Sequence, residues 1–191
     1  MSDKCLILLG DHAVGKTSII SKYLRGELPK EYKYTLGTEK FVKKLEINGD
    51  TKNIAILDSS AEITKSPIGK NFFTICDGIF VLYDSTKKES FENIDNWINF
   101  IKKSNKTLPI ILIGNKSDLE REIGEEEGRK KAEELEIDFY ETSALTGENV
   151  NEVFNAMLNK VFENDVEVEE EKKCCEKCCE KCCDCNCFWF C

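Results

Sequence analysis

Gly10-Asp11-His12-Ala13-Val14-Gly15-Lys16-Thr17 lies between an apolar run, Cys5 to Leu9, and a helical pattern from Ser18 to Leu24. The order is therefore strand, glycine-containing loop and helix, and the spacing G-x-x-x-x-G-K-[ST] is typical of a phosphate-binding loop. Backbone N–H groups of such a loop point at a phosphate, and the helix N-terminus adds partial positive charge. A plain turn with a chance lysine is the alternative, and the flanking strand and helix disfavour it.

Two side chains of this loop have an expected role in nucleotide chemistry. Lys16 would reach the β- and γ-phosphates, and the Thr17 hydroxyl would bind Mg²⁺. The other residues of the loop that are expected to contact the nucleotide are Asp11, His12, Ala13, Val14, Gly15 and Ser18.

Composition limits the class of partner. The 191 residues suffice for one domain with a full core. Lysine and arginine number 27 against 36 aspartates and glutamates, a formal charge of −9, which disfavours nucleic acid and a polybasic membrane patch. No apolar run approaches the roughly 18 residues of a membrane span, and no secretory signal pattern is present. The body of the chain is expected to be cytosolic.

Five further strand patterns follow the loop. A hairpin signal, Asn48-Gly49-Asp50, joins the first two of them and makes that pair antiparallel. Helical patterns separate the later ones, and this alternation predicts an α/β fold: a six-stranded, mostly parallel sheet with one antiparallel strand and helices on both faces. The five runs are Phe41–Ile47, Asn53–Leu57, Gly78–Tyr83, Pro109–Gly114 and Asp138–Thr142.

Three helical patterns accompany the later strands. Thr86-Lys87-Lys88-Glu89 has capping-box spacing and predicts a helix that begins there. A charged pattern predicts a helix over Glu125–Leu135, and the stripe from Val150 to Val161 predicts a last helix whose apolar side faces the core. Two segments are irregular: residues 26–38, and a segment that Asp58 opens and that continues to about residue 65.

In a parallel sheet the ligand binds beyond the carboxyl ends of the strands, so the residues there should form the site. Asp58 follows the third strand and suits Mg²⁺. Asn115-Lys116-Ser117-Asp118 follows the fifth, where Asp118 would accept hydrogen bonds from guanine N1–H and the exocyclic amine; adenine would leave it unpaired. Thr142-Ser143-Ala144 follows the sixth, and the Ala144 N–H is expected to donate to guanine O6.

Together these motifs resemble a small GTPase of the Ras superfamily, most closely the Rab branch. Thr35 in Tyr34-Thr35-Leu36-Gly37 matches a further nucleotide motif of the family. Outside the nucleotide motifs, two segments resemble Rab sequences: Tyr83-Asp84-Ser85-Thr86 and Thr146-Gly147-Glu148-Asn149-Val150. The resemblance covers about residues 4–163 and implies a small G domain of the P-loop NTPase class, assigned here to residues 1–164.

The resemblance also implies cofactors and partners. GTP or GDP and Mg²⁺ would be bound, with Thr17, Thr35 and Asp58 on the metal, and Leu145 would join Ser143 and Ala144 near the base. The two irregular segments, residues 26–38 and 58–65, would be the first and second switch segments and would order around the γ-phosphate. A monomer would work with an exchange factor, a GTPase-activating protein, an escort chaperone of the GDI type and effectors. It would act in vesicle traffic on the cytosolic face of organelles.

The second switch segment departs from the family pattern. Asp-Thr-Ala-Gly-Gln is replaced by Asp58-Ser59-Ser60-Ala61-Glu62. The usual glutamine orients the attacking water as donor and acceptor, whereas an ionised Glu62 only accepts. Its charge would also repel the γ-phosphate by about 4 kcal/mol at about 4 Å, for an effective dielectric constant of about 20. Ala61 has less conformational freedom than glycine. We expect slow hydrolysis; the alternative is a hydrolysis-deficient platform that recruits effectors.

Three other departures lie around the nucleotide. His12 either obstructs the arginine of an activating protein or points to water. Leu28 stands where the family usually places an aromatic residue against guanine, and Leu145 replaces a lysine. These losses should loosen the grip on the nucleotide without changing the choice of base.

Effector recognition is also expected to differ from that of other Rab proteins. Three positions between the switch segments that are commonly aromatic in the family are Lys40, Leu57 and Phe72 here, so only one is aromatic.

Residues 165–191 form an acidic, cysteine-rich tail that is expected to be disordered. Nine of the eleven cysteines lie in its last eighteen residues, with Cys185, Cys187 and Cys191 as the candidates for lipidation. The end of the chain matches neither a terminal cysteine pair nor the C-a-a-X pattern. Prenylation, multiple S-acylation and metal–thiolate binding therefore remain open as alternatives.

Overall fold

The computed structural model describes residues 4–31, 34–35, 37–47, 49–65, 72–104 and 107–163. The strands within these residues are β1 (Lys4–Gly10), β2 (Thr38–Ile47), β3 (Asp50–Ser59), β4 (Gly78–Asp84), β5 (Ile110–Asn115) and β6 (Asp138–Thr142). The helices are α1 (Lys16–Arg25), α2 (Phe72–Ile75), α3 (Lys88–Glu92), α4 (Ile94–Lys102), α5 (Glu125–Leu135) and α6 (150–163), and Ala61–Lys65 forms a 3-10 turn. The tail, with Cys185, Cys187 and Cys191, lies outside the described residues.

The strands form one sheet in the order β2-β3-β1-β4-β5-β6. Every neighbouring pair is parallel except β2 and β3, whose antiparallel register ends at the pair Ile47 and Asp50. Gly49 between them has a φ of +83°, the left-handed conformation that a tight hairpin requires. The predicted α/β fold with a single hairpin is confirmed.

Helices cover both faces of the sheet. Successive side chains of a strand point to opposite faces, so a strand such as β1 contributes to both core clusters. In β1, Leu6 and Leu8 pack with residues of α1 and α6, whereas Ile7 and Leu9 pack with residues of α2, α4 and α5. All four are fully buried. Burial of each such side chain is worth about 1.5–3 kcal/mol, so strands that are apolar on both faces are stable only between two helical layers.

The strand register brings polar residues together at one edge. Asp58 of β3 is level with Leu8 of β1, and Asp84 of β4 is level with Asn115 of β5, which in turn is level with Thr142 of β6. Asp58, Asp84, Asn115 and Thr142 are all buried to 1% exposure or less. The carboxyl edge of the sheet therefore holds a row of buried polar groups.

The predicted capping box at Thr86 is wrong. The Thr86 hydroxyl and backbone N–H both donate to Asp84 Oδ1, at 2.7 and 3.0 Å, so that the threonine closes a turn with the preceding aspartate. Lys87 is the N-cap residue of α3 and makes no side-chain capping bond. The bond that a capping-box glutamate makes to the N-cap residue occurs instead at α5, where Glu127 Oε2 accepts the Gly124 N–H at 3.1 Å.

The second irregular segment begins later than predicted. β3 continues through Asp58 to Ser59, because Glu39 and Thr38 of β2 pair with these two residues. Asp58 is thus held in the sheet, and only the residues after it leave the strand.

Gly128 in α5 provides a test of the packing between this helix and the sheet. A Cβ atom there would lie 2.4 Å from Tyr83 Oη and 2.5 Å from Phe139 Cζ. We expect Gly128→Ala to lower the free energy of unfolding by about 1–3 kcal/mol, although alanine normally favours a helix over glycine. Urea unfolding with saturating GDP and Mg²⁺ measures the change.

Tyr83→Phe is the matched variant, because Tyr83 Oη is buried and makes no hydrogen bond within the described residues. Alone it should cost little. Combined with Gly128→Ala it should restore part of the lost stability, since Tyr83 Oη, the nearest of the clashing atoms, is then absent. Equal effects of Gly128→Ala in both backgrounds would contradict this account.

Candidate functional site

The loop between β1 and α1 is shaped by left-handed residues. Ala13 has a φ of +61° and Gly15 a φ of +98°. A Cβ atom on Gly15 would lie 2.2 Å from Asn115 Nδ2, so only glycine fits against that amide. The Gly15 carbonyl then accepts the Ile19 N–H at 3.0 Å and starts α1. The loop therefore leads directly into a helix N-terminus, the geometry that binds phosphate.

Lys16 lies across the inside of this loop. It is only 7% exposed, and its Nζ donates to the carbonyl oxygens of Gly10 and Asp11 at 2.8 and 2.7 Å. Burial lowers the pKa of Lys16 to about 8, and the carboxylates of Asp58 and Asp11 partly oppose that shift. A cation held in this way lies where a phosphate in the loop would meet it.

Three oxygen-bearing side chains meet beside Lys16. Thr17 Oγ1 donates to Asp58 Oδ2 at 2.6 Å, and Thr35 Oγ1 lies 3.2 Å from Thr17 Oγ1 and 3.4 Å from the same carboxylate oxygen. Burial raises the pKa of Asp58, while the Thr17 hydroxyl and Lys16 act to lower it.

The residues of this cluster fit a bound Mg²⁺. Asp58 Oδ1 is buried and has no hydrogen-bond partner within the described residues, which is costly for a carboxylate oxygen. A small cation would satisfy it, and two hydroxyls with one carboxylate are the hard oxygen ligands that Mg²⁺ prefers.

A cavity of about 580 Å³ adjoins the loop and this cluster. That volume is in the range of small-molecule sites. Predicted site residues from four parts of the chain line it: His12, Ala13, Gly15, Lys16, Thr17 and Ser18 from the loop and α1, Thr35, Ala61, and Lys116.

Asn115 joins the phosphate loop to the predicted base motif. Its Nδ2 donates to the carbonyl of Val14 at 2.8 Å, and its Oδ1 accepts the Thr142 hydroxyl at 3.2 Å and the Ala144 N–H at 3.3 Å. The Ala144 N–H predicted for guanine O6 is therefore directed at Asn115 in this structure. Val14 itself is 1% exposed, so it takes part through its backbone.

The other two residues of the motif are also fixed. Ser143 Oγ donates to Asp118 Oδ1 at 2.5 Å, on an aspartate that is otherwise exposed. Lys116 has a φ of +69° and donates to Asp84 Oδ2 at 2.5 Å. Burial acts to raise the pKa of Asp84, but the hydrogen bonds from Lys116 and Thr86 outweigh it and hold that pKa below its usual value.

Leu145 is 59% exposed, and its carbonyl accepts a hydrogen bond from Lys22 Nζ at 3.3 Å. It follows Ala144 directly and is one of the exposed large apolar side chains. Leu28 is partly buried and packs against the core cluster on the α1 and α6 side of the sheet.

Asp11 differs from the prediction in one respect. Its carbonyl faces Lys16, but its carboxylate bonds to Asn93 and Trp97 rather than facing the phosphate side of the loop. Sequence reasoning missed these two residues, because nothing local in the helical pattern marks them as partners of the loop. It also missed the role of Asp84, although its place at a strand end, like that of Asp58, could have indicated it.

His12 contacts the first switch segment. Its side chain is exposed, and its ring centroid lies 4.9 Å from that of Tyr34 with the rings tilted by 37°. The imidazole therefore packs on Tyr34 and is not directed at water alone.

The two altered residues of the second switch segment are consecutive, but their side chains have different surroundings. Ala61 lines the cavity, whereas the Glu62 side chain is exposed and its backbone N–H donates to Ser60 Oγ at 3.2 Å. The Ser60 N–H donates to the Gly37 carbonyl at 2.7 Å. This bond ties the two switch segments together next to Thr35.

A phosphate loop, an oxygen cluster for Mg²⁺ and a base motif at the carboxyl ends of parallel strands define a nucleotide-binding protein of the α/β class. Residues 5–163 match the sequence profile of the Ras family. The chain belongs to this family of small GTPases, and its relatives place it in the Rab type.

Several Rab proteins are about one-third identical to the chain. RABA2b of Arabidopsis thaliana is 32% identical over 160 residues, which are 82% of this chain and 75% of the relative. Rab-15 of Homo sapiens is 33% identical over 161 residues, 83% of this chain and 76% of the relative. Rab-11C of Dictyostelium discoideum is 32% identical over 160 residues, 82% and 71% of the two chains.

The Ser143–Asp118 bond yields a test of base recognition. Without the hydroxyl, Asp118 is less well oriented, so we expect Ser143→Ala to weaken GDP binding about tenfold or more, the worth of one hydrogen bond to a charged group. The preference for GDP over inosine diphosphate, which lacks the exocyclic amine, should fall as well. Competition binding with both nucleotides measures the two effects.

Ser117→Ala is the matched control. The Ser117 hydroxyl lies in the same motif but donates to Glu148 Oε2 at 3.4 Å instead of to Asp118. GDP affinity should stay within about twofold. If both variants lost the same affinity, the special role of Ser143 would be refuted.

Proposed function

We propose that the protein is a guanine-nucleotide switch that binds GTP or GDP with Mg²⁺, hydrolyses GTP slowly and regulates intracellular membrane traffic. The observation that carries this proposal is the meeting of Thr35, from the first switch segment, with Thr17 and Asp58. A switch threonine at the metal site links the conformation of that segment to the bound nucleotide.

The nucleotide would lie in the cavity beside the loop, with Lys16 and the backbone of residues 11–18 toward its phosphates. Asn115, Lys116, Asp118, Ser143, Ala144 and Leu145 would surround the base. Thr17, Thr35 and Asp58 would hold Mg²⁺, which supplies positive charge to the phosphate oxygens when bound. Guanine is favoured over adenine because only guanine offers two N–H donors to Asp118.

The two switch segments would respond together. Thr35 reaches the metal cluster, and the Gly37 carbonyl accepts the Ser60 N–H two residues before Glu62. Loss of the γ-phosphate would release the hold on Thr35, and that bond passes the change to the second segment. Exchange factors, activating proteins and effectors would read the difference.

Slow hydrolysis follows from the second switch segment. Glu62 is exposed and, when ionised, cannot donate a hydrogen bond to an attacking water, and Ala61 replaces the family's glycine beside the cavity. The same chain retains the loop lysine and the metal ligands. Binding and hydrolysis are thus expected to be affected unequally.

Glu62→Gln should raise the single-turnover rate of GTP hydrolysis by about tenfold or more, because it restores a donor and removes a negative charge near the γ-phosphate. Glu133→Gln, an exposed change of the same type on α5, is the control and should leave the rate unchanged. A wild-type protein that hydrolyses GTP as fast as the glutamine variant would refute this account of Glu62.

The second candidate function is a hydrolysis-deficient platform that stays loaded with GTP and recruits effectors. The altered pair Ala61 and Glu62, with His12 packed on Tyr34, is the observation that favours it. The nucleotide recovered with the purified protein distinguishes the two, since a slow GTPase returns mainly GDP and a platform mainly GTP.

Residues 165–191 would serve as a lipidated tail that attaches the domain peripherally to the cytosolic face of an organelle or vesicle membrane. Among the residues that the structure describes, no helix is long and apolar enough to cross a bilayer. The tail has too few basic residues for electrostatic attachment, so acyl or prenyl chains on cysteines such as Cys185, Cys187 and Cys191 would be required. An escort chaperone of the GDI type would then carry the protein between membranes.

Intact mass spectrometry of the protein from its own cells tests the tail. Two or more lipid increments are expected, since a single chain gives only marginal membrane binding. They should disappear when Cys185, Cys187 and Cys191 are replaced by serine. A mass without lipid, or a metal that is lost on denaturation, would contradict the proposal.

A further inference from the structure

The carboxylate of Asp11 is held by two donors from one helical region. Asn93 Nδ2 donates to Asp11 Oδ2, and Trp97 Nε1 donates to Asp11 Oδ1, each at 2.8 Å. Each oxygen therefore receives one neutral donor. The partners are 82 and 86 residues away along the chain, so the bonds join the phosphate loop to a distant part of the fold.

The direction of this carboxylate matters for an anion site. A negative side chain in a phosphate loop repels the phosphates if it faces them. Here the bonds to Asn93 and Trp97 hold it on the helical side, while the carbonyl of the same residue accepts Lys16 Nζ at 2.7 Å. Residue 11 thus connects the buried lysine on one side to the helices on the other.

The two donors are themselves well fixed. Asn93 lies between α3 and α4, where its N–H donates to the Glu89 carbonyl at 3.1 Å and its Oδ1 accepts Asn96 Nδ2 at 3.1 Å. Trp97 comes one helical turn later on the same face and is 5% exposed. Its ring packs in the core cluster of that face, with its centroid 6.5 Å from that of Phe100.

We propose that Asn93 and Trp97 are positioning residues for the nucleotide, which act through Asp11 to keep the phosphate loop in its binding conformation. The inference rests on the proposed nucleotide-binding function. Neither residue is placed to touch the nucleotide. Their loss lets the carboxylate turn and the loop relax, which speeds nucleotide release without changing the choice of base.

The first test is the dissociation rate of a fluorescent GDP analogue from the full chain with Mg²⁺. Trp97→Phe keeps an aromatic ring but removes the N–H, and should speed release about tenfold, the loss of one hydrogen bond to a charged group. Asn93→Ala should act in the same direction. The ratio of affinities for GDP and inosine diphosphate should stay as in the wild type.

A double-mutant cycle separates positioning from packing. If Trp97 acts through Asp11, Asp11→Ala already removes its contribution, so Trp97→Phe adds less than about twofold in that background. A role in packing alone would instead give effects that multiply. Asn93→Ala combined with Asp11→Ala provides the same cycle if Trp97→Phe does not yield folded protein.

Phe100→Leu is the matched control, because Phe100 lies in the same core cluster and contacts Trp97 but makes no bond to the loop within the described residues. It should lower stability and leave GDP release within about twofold. Unchanged release in both Trp97→Phe and Asn93→Ala, or multiplying effects in the cycles, would overturn the inference. A wild-type protein that binds no guanine nucleotide would instead overturn the proposed function, which keeps the two failures distinct.

Discussion

The side-chain amide of Asn115 is the constraint on which the site depends. Its single donor group holds the Val14 carbonyl of the phosphate loop, and its oxygen accepts hydrogen bonds from Thr142 and Ala144 of the base motif. The amide is 1% exposed and lies against Gly15, where any Cβ atom would collide with it. Phosphate and base recognition are therefore not independent modules, because one buried amide fixes the distance between them. The cost of leaving its partners unpaired in the interior keeps that distance constant.

The buried charged groups at the same edge of the sheet suit a bound polyanion and its cation, and without such a ligand they lower the stability of the fold. Lys16 is nearly buried, which lowers its pKa, and Asp58 is buried with one oxygen that has no hydrogen-bond partner in the part of the chain that the structure describes. Groups of this kind cost free energy unless a ligand completes their surroundings. The chain as a whole carries a formal charge of −9, so attraction for a phosphate would have to come from Lys16 and the backbone N–H groups of the loop and not from the general charge. Ligand binding is thus expected to stabilise the fold strongly.

Local patterns predicted most of the fold. The apolar strands, the hairpin at Gly49 and the sheet with helices on both faces are as the sequence indicated, because alternation and turn residues act over a few positions. Thr86 shows where such patterns fail: its spacing matched a capping box, but the N–H and the hydroxyl of Thr86 both donate to Asp84 Oδ1. A spacing rule cannot weigh two competing acceptors.

The sequence predicted the motifs of the candidate site but not the contacts that hold their residues in place. Residues at strand ends could be assigned because the topology of a parallel sheet brings them together. The hydrogen bonds of Asp11 with Asn93 and Trp97 could not be predicted, since they join residues more than 80 positions apart and depend on the break between α3 and α4 at Asn93. The same limit applies to His12, whose ring contact with Tyr34 depends on the path of the first switch segment. Contacts between segments are set by packing, which a single sequence does not encode locally.

The residues of the candidate site and the altered residue Glu62 differ in how closely they are bonded to the rest of the fold. The residues proposed to hold phosphate, metal and base bond to one another, and several of these bonds involve buried groups such as Asn115, Asp58 and Asp84. The Glu62 side chain, by contrast, is exposed, and its backbone N–H donates to the hydroxyl of Ser60. Substitutions of exposed side chains usually change the free energy of unfolding by no more than about 0.5 kcal/mol. A change at Glu62 is therefore expected to alter the rate of hydrolysis more than nucleotide binding or the stability of the fold.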